Sequence, residues 1–210
     1  IVSTPMAARV GEHWGVEMRR VLTGIKYIGD VMNQLVSAGG PARFLMGFEE
    51  SCGYLTGMHV RDKDAVNAAL LVCEMAAHYK LEGRTLCAVM DELYAEYGIY
   101  YTKADSFAFA GAGAMERMGA VMDHLRAEHL PEIAGTAVTG FTDYRDTSAT
   151  GLPSADVLTW ELADGCAVTA RPSGTEPKLK LYFTVRAGSR EECLQRYDAL
   201  RAAMTGAAGL

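Results

Sequence analysis

Apolar and polar positions along the chain fall into two textures. In the first, stretches with helical spacing are separated by short apolar runs. Residues 6–14 have the spacing of a short helix and residues 16–22 that of a strand. Thr23-Gly24-Ile25-Lys26-Tyr27 is a turn into a helix that runs to about Ser37, and Gly39-Gly40-Pro41 ends it. Residues 43–48 read as a compact apolar strand that feeds the polar loop Glu49-Glu50-Ser51-Cys52-Gly53, with Gly53 as its turn residue. Asp64 is placed to cap a helix over residues 65–79, apolar on most faces and therefore expected to be largely buried. Residues 85–97 form another amphipathic helix, closed by Gly98. Ile1-Val2-Ser3-Thr4 reads as the end of a buried strand, which suggests a fragment cut near a domain edge.

From about Ala104 the texture changes. Residues 107–109 look like a strand end, and Gly111-Ala112-Gly113 precedes a helix over residues 114–129. Short strands follow at 136–142, 157–162, 166–171 and 179–187, with Asp164-Gly165 as a hairpin signal between two of them. Ser189 caps a last helix over residues 190–204. The pattern therefore predicts two domains. Residues 1–103 read as an α/β domain with a mostly parallel or mixed sheet, and residues 104–210 as an α+β domain with an antiparallel sheet.

Composition narrows the class. A chain of 210 residues, 50% hydrophobic and 22% charged, can bury a sizeable core. A net charge of −6 without a basic run argues against nucleic acid or an anionic membrane as the main partner. The 5 cysteines are odd in number and widely spaced, which fits neither a disulfide framework nor a zinc cluster; a reducing cytoplasm is the expected setting. No apolar stretch approaches the ~20 residues of a spanning helix.

Four segments could carry chemistry. Arg171-Pro172-Ser173-Gly174-Thr175-Glu176-Pro177-Lys178-Leu179-Lys180 is a tight loop entered by an arginine and left by two lysines. Backbone N–H groups, hydroxyls and a guanidinium can together surround a phosphate, and the same letters also make a plain hairpin turn with surface charges. Glu49-Glu50-Ser51 follows an apolar strand, where carboxylates suit the hydroxyls of a sugar; the alternative is a solvated acidic loop. His59-Val60-Arg61-Asp62-Lys63-Asp64 offers Lys63 to a phosphate or a proton, or is simply a helix cap with ion pairs. Thr23-Gly24-Ile25-Lys26 carries the weakest signal of the four, since Thr-Gly before a helix also reads as a simple N-terminal turn.

Taken in order, these segments resemble the signature of the α-D-phosphohexomutase superfamily. Its third domain carries a Thr-Gly-x-Lys turn, a Gly-Glu-x-Ser-Gly-like sugar loop and an Arg-x-Lys-Asp segment; its fourth carries an Arg-x-Ser-Gly-Thr-Glu-Pro phosphate loop. The resemblance implies that Thr23, Gly24, Glu49 and Ser51 contact the sugar and that Lys63 lines the catalytic cleft. It implies that Arg171, Ser173, Gly174, Thr175 and Lys180 bind the phosphate that is not transferred. The activity implied is phosphoglucomutase or phosphomannomutase: a phosphoserine donates to a hexose monophosphate, and the reoriented bisphosphate returns its other phosphate. The family's Thr-Ala-Ser-His-Asn-Pro nucleophile loop and its Asp-Gly-Asp-x-Asp-Arg magnesium loop do not occur in this sequence. The chain is thus expected to be domains three and four only, inactive alone. Mg2+ ligands would lie in the N-terminal domains of the same polypeptide. Hexose phosphates would be its ligands and glucose 1,6-bisphosphate the activator and intermediate. A phosphosugar-binding module without catalysis, or a phosphopentomutase parent, are the alternatives.

Overall fold

The computed structural model describes residues 1–40 and 43–210, so the helix stop expected at Pro41 lies outside the described residues. By packing, the chain forms two units: Ile1–Ser3 with Arg9–Tyr97, and Thr4–Ala8 with Gly98–Leu210. The α/β character and the antiparallel sheet of the second part stand as expected.

The first unit takes in the greater part of helix α1 (Met6–His13), then α2 (Ile25–Ser37), strands β1 (Met46–Phe48) and β2 (Tyr54–Thr56), and helices α3 (Ala65–Leu81) and α4 (Leu86–Tyr97). The two strands pair antiparallel, with Gly47 opposite Leu55. Their buried side packs on α2: Ile28 and Met32 meet Leu55, with Val21, Ile25, Phe44 and Met58 around them. A Cβ on Gly47 would lie 2.5 Å from Ile28 Cγ2, so a side chain there would push β1 off the helix. The Asp64 carboxylate caps α3 as expected, accepting the Asn67 N–H at 2.9 Å.

Several expectations for this unit are corrected. Residues 1–4 and 16–22 form no strand; the Ile1 ammonium donates one hydrogen bond to the Val21 carbonyl at 2.8 Å. A single bond is not a ladder. The strand expected over residues 43–48 survives only as its last three residues; Leu45, just before them, is exposed. The left-handed residue of the polar loop is Cys52, at φ 53°, and not Gly53. Helix α3 is not buried: Val66 is 82% and Leu81 90% exposed, and none of its residues is in the core. It packs mainly on β2 and α4. An all-round apolar pattern registers the demand for a cover, and these neighbours do not meet it.

The second unit contains β3 (Ile99–Ala108), α5 (Ala114–Ala127), β4 (Glu132–Ile133), β5 (Thr136–Asp143), α6 (Thr147–Thr150), β6 (Leu158–Leu162), β7 (Ala167–Pro172), β8 (Lys178–Ala187) and α7 (Arg190–Ala208). The strands form one antiparallel sheet in the order β3-β8-β7-β6-β5-β4. Alternation along each strand sends one set of side chains towards α5 and α7. Leu158, Trp160, Val168, Ala170, Leu179, Leu181, Phe183 and Val185 meet Met118, Met122 and Leu125 of α5 and Cys193, Tyr197, Leu200 and Met204 of α7. The register puts Thr159, Thr169, Arg171, Lys180 and Tyr182 on the opposite face. Sequence reading recovered little of β3 because its helix-facing side includes Lys103 and Asp105. Both are satisfied there: the Asp105 carboxylate accepts from Tyr197 Oη and Arg201 Nε, each at 2.6 Å, and Lys103 Nζ sits over the Tyr197 ring. β3 also takes up Ile99 to Lys103, which the sequence reading assigned to the first domain.

Helix α7 starts with Ser189 accepting the Glu192 N–H at 3.1 Å, while the Glu192 carboxylate accepts the Gly188 N–H at 3.0 Å. The β6–β7 hairpin closes at Asp164-Gly165, with Gly165 at φ 80°. Burial alone would raise the Asp164 pKa, but the Cys166 N–H and the Arg196 guanidinium outweigh it and hold the carboxyl below its ordinary range.

Two outcomes follow for stability. Phe183 is 1% exposed and meets the Tyr197 ring edge-on, so Phe183→Ala should cost about 3–5 kcal/mol in chemical denaturation. Because the folded Asp164 pKa is depressed, its contribution is full above the unfolded value. It fades as pH falls through the folded one, so the loss begins below about pH 4. Asp164→Asn should therefore lower the melting temperature at neutral pH and narrow the gap to wild type on acidification.

Candidate sugar and phosphate loops

The residues singled out from the sequence fall into two patches, one in each unit. In the first, β1 and β2 hold the loop Glu49-Glu50-Ser51-Cys52-Gly53 at their joint end, closed by the Glu49 N–H donating to the Gly53 carbonyl at 2.8 Å. Adjacent carboxylates point apart: Glu50 is exposed, whereas the Glu49 side chain is tucked in at 16% exposure. Ser51 is exposed at the tip. The segment from His59 to Asp64 is tied down on both sides of Lys63. Arg61 donates to Asn33 Oδ1 of α2 at 3.1 Å and to the Met58 carbonyl at 2.7 Å. Asp64, besides capping α3, meets His59 Nε2 at 2.9 Å. The Asn67 N–H, then the His59 ring, hold the Asp64 carboxyl below its ordinary range. With its neighbours so occupied, Lys63 places Nζ 3.8 Å from Glu49 Oε2 and 3.4 Å from Asp62 Oδ1. Two motifs separate in sequence thus meet as a carboxylate beside a cation.

Thr23 and Gly24 belong to the same unit. Gly24 occupies the N-cap of α2 at φ 131°, and no side chain caps that helix. Thr23 Oγ1 is buried without a hydrogen-bond partner among the described residues. The turn reading of this segment is realised in Gly24, but Thr23 does not serve as its cap.

In the second unit β7 and β8 hold the loop from Ser173 to Pro177 between them. Arg171 and Lys180 are directly opposite one another across the strands, on the face away from the helices. Like charges so placed are destabilising by themselves and become favourable when an anion is shared between them. At the loop mouth the Ser173 N–H donates to the Lys178 carbonyl at 2.8 Å. The Ser173 hydroxyl accepts from the Thr175 and Glu176 N–H groups at 3.4 and 3.3 Å. Both its lone pairs are then engaged, which directs its own proton outward as a donor. A side chain on Gly174 would meet nothing, so backbone there is open to close approach. Lys178 pairs with Glu176, and that ion pair, its hydrogen bond first, holds the Glu176 carboxyl below its ordinary range.

Two contributors were missed in the sequence. Tyr182, two residues beyond Lys180, presents its hydroxyl 3.5 Å from the Arg171 guanidinium. The polar–apolar alternation from Lys178 to Thr184 carried that signal. Arg61 acts on Asn33, a partner so distant in sequence that no local pattern signals it. Among the described residues no three His, Cys, Asp or Glu side chains converge as a metal centre.

The profile of "Phosphoglucomutase/phosphomannomutase, alpha/beta/alpha domain III" matches residues 1–97. A Haemophilus influenzae protein named "Probable phosphomannomutase" is 35% identical over 187 residues, 89% of this chain and 35% of its own length. The phosphoglucomutase of Staphylococcus haemolyticus is 34% identical over 93% of this chain and 37% of its own. The chain therefore spans about a third of the length of these relatives. In fold it is similar to parafusin, a phosphoglucomutase from Paramecium in its open form, with a TM-score of 0.68 over 98% of this chain and 36% of that one, at 18% identity. Residues 1–97 thus match domain III of the phosphoglucomutase/phosphomannomutase family, and nearly the whole chain is similar to members of it.

Proposed function

We propose that this chain is the substrate-recognition part of a phosphoglucomutase or phosphomannomutase. Its parent would interconvert hexose 1-phosphate and hexose 6-phosphate by phosphoserine-mediated transfer in the cytoplasm. Residues 1–103 would serve as the family's third domain and residues 104–210 as its fourth. The observation that carries the reading is the like-charged pair Arg171 and Lys180, held opposite each other at the mouth of a hydroxyl-bearing loop. The Arg171 fork suits two phosphate oxygens, Lys180 supplies a point charge, and Ser173 and Thr175 donate hydroxyl protons. Glu49 and Ser51 would accept and donate to ring hydroxyls, with Thr23 and Gly24 bringing backbone near the sugar. Lys63, already beside a carboxylate, would hold or pass a proton at the sugar oxygen.

A mutase must accept its substrate in two orientations. A grip that recognises only phosphate charge, and a loop that recognises only ring hydroxyls, suit that demand. The chemistry of transfer would come from the parent's other domains, where magnesium would neutralise the phosphoryl oxygens. The five thiols are unbridged, in keeping with a reducing compartment.

Arg171→Ala should weaken glucose 6-phosphate binding, measured by calorimetry, by roughly 1.5–3 kcal/mol. Isotherms indistinguishable from wild type would reduce the loop to an ordinary turn. The chain alone, given magnesium, glucose 1,6-bisphosphate and glucose 1-phosphate, should show no turnover. Conversion to glucose 6-phosphate would contradict the assignment of the phosphoserine to another part of the parent.

A further inference from the structure

Gly53 ends the loop that carries Glu49, yet its backbone does not need glycine. It is absent from the left-handed region, which Cys52 occupies at φ 53° instead. What it does supply is room. A Cβ built on Gly53 would lie 2.6 Å from Glu49 Oε2 and 3.1 Å from both Cβ and Cγ of the same side chain. Gly53 is itself buried, so Glu49 lies across it like a lid on a floor. The backbone joins the same two residues, Glu49 N–H to Gly53 carbonyl at 2.8 Å, so the floor cannot drift from the side chain it supports. Beyond the floor stands Lys63, whose Nζ is 3.8 Å from that Glu49 oxygen.

We infer that Gly53 is a positioning residue: its missing side chain reserves the volume in which the Glu49 carboxylate lies beside Lys63. The atom most in the way of a methyl group, Oε2, is the far end of a flexible side chain, while Glu49 Cβ at 3.1 Å needs to give by only a few tenths of an ångström. The relief is for the Glu49 carboxylate to swing away from Gly53. Gly53→Ala should therefore fold and still misplace the carboxylate. This deepens the proposed function, because it rests on Glu49 being a sugar contact, and it assigns the glycine a part that local backbone conformation does not explain.

The test combines a spectroscopic and a binding readout. With carboxyl-labelled glutamate in the full chain, Gly53→Ala should shift the Glu49 side-chain carboxyl resonance and leave the other glutamates in place. Glucose 6-phosphate affinity should fall about tenfold or more, as it should for Glu49→Ala. The double variant should bind no more weakly than Glu49→Ala alone, since the group being positioned is gone. An unmoved Glu49 resonance overturns the inference, and so do losses that multiply in the double variant. If Gly53→Ala moves the resonance while Glu49→Ala leaves affinity unchanged, the positioning stands and the sugar role of Glu49 falls. A melting temperature near wild type for Gly53→Ala separates both outcomes from unfolding.

Discussion

The register of the β7–β8 hairpin is the constraint from which the second unit follows. Pairing Ala170 with Leu181 and Val168 with Phe183 sends both apolar pairs towards α5 and α7. The same pairing sets Arg171 opposite Lys180 on the other face. Because side chains alternate with period two, a slip of β8 by one residue would send Lys180 into the core and its leucines out. Burying a charge without a partner costs far more than any turn can return. The cationic pair is therefore fixed by hydrophobic burial on the reverse of the sheet, and the loop between the strands inherits its shape from it.

In the first unit the equivalent constraint is close packing without side chains. Gly47 lets β1 sit on Ile28, and Gly53 leaves space for Glu49. Between these two glycines the chain turns through the loop whose carboxylate faces Lys63. Arg61 fastens the lysine's segment to α2, and Asp64 fastens it to the start of α3. Neither fastening uses Lys63, which leaves the ammonium free to answer the loop.

Much of this was legible beforehand, and the misses have common causes. Helix caps at Asp64 and Ser189 are local, since a carboxylate or hydroxyl meets an N–H three residues on, and both were read correctly. Strands β6, β7 and β8 were found because their apolar alternation is uninterrupted. Most of β3 was missed because Lys103 and Asp105 stand on its core-facing side, where tertiary partners on α7 satisfy them. The segment over residues 16–22 has strand letters and forms no strand. Helix α3 shows the converse: a sequence states how apolar a helix is, but its cover comes from elsewhere. As for the loops, the letters Arg-x-Ser-Gly-Thr-Glu-Pro marked the cations and hydroxyls. The alternation also marked the face of Tyr182, while its approach to Arg171 and the place of Gly53 beneath Glu49 came from packing.

The central claim is that the hairpin loop after Arg171 is an anion seat whose donors are backbone amides, hydroxyls and the two opposed cations. Amide chemical shifts during titration with inorganic phosphate test it most directly. The account predicts saturable shifts confined to residues 171–180, with the Ser173, Gly174 and Thr175 amides moving most. Shifts scattered over the surface, or centred on another segment while this loop stays still, would contradict it.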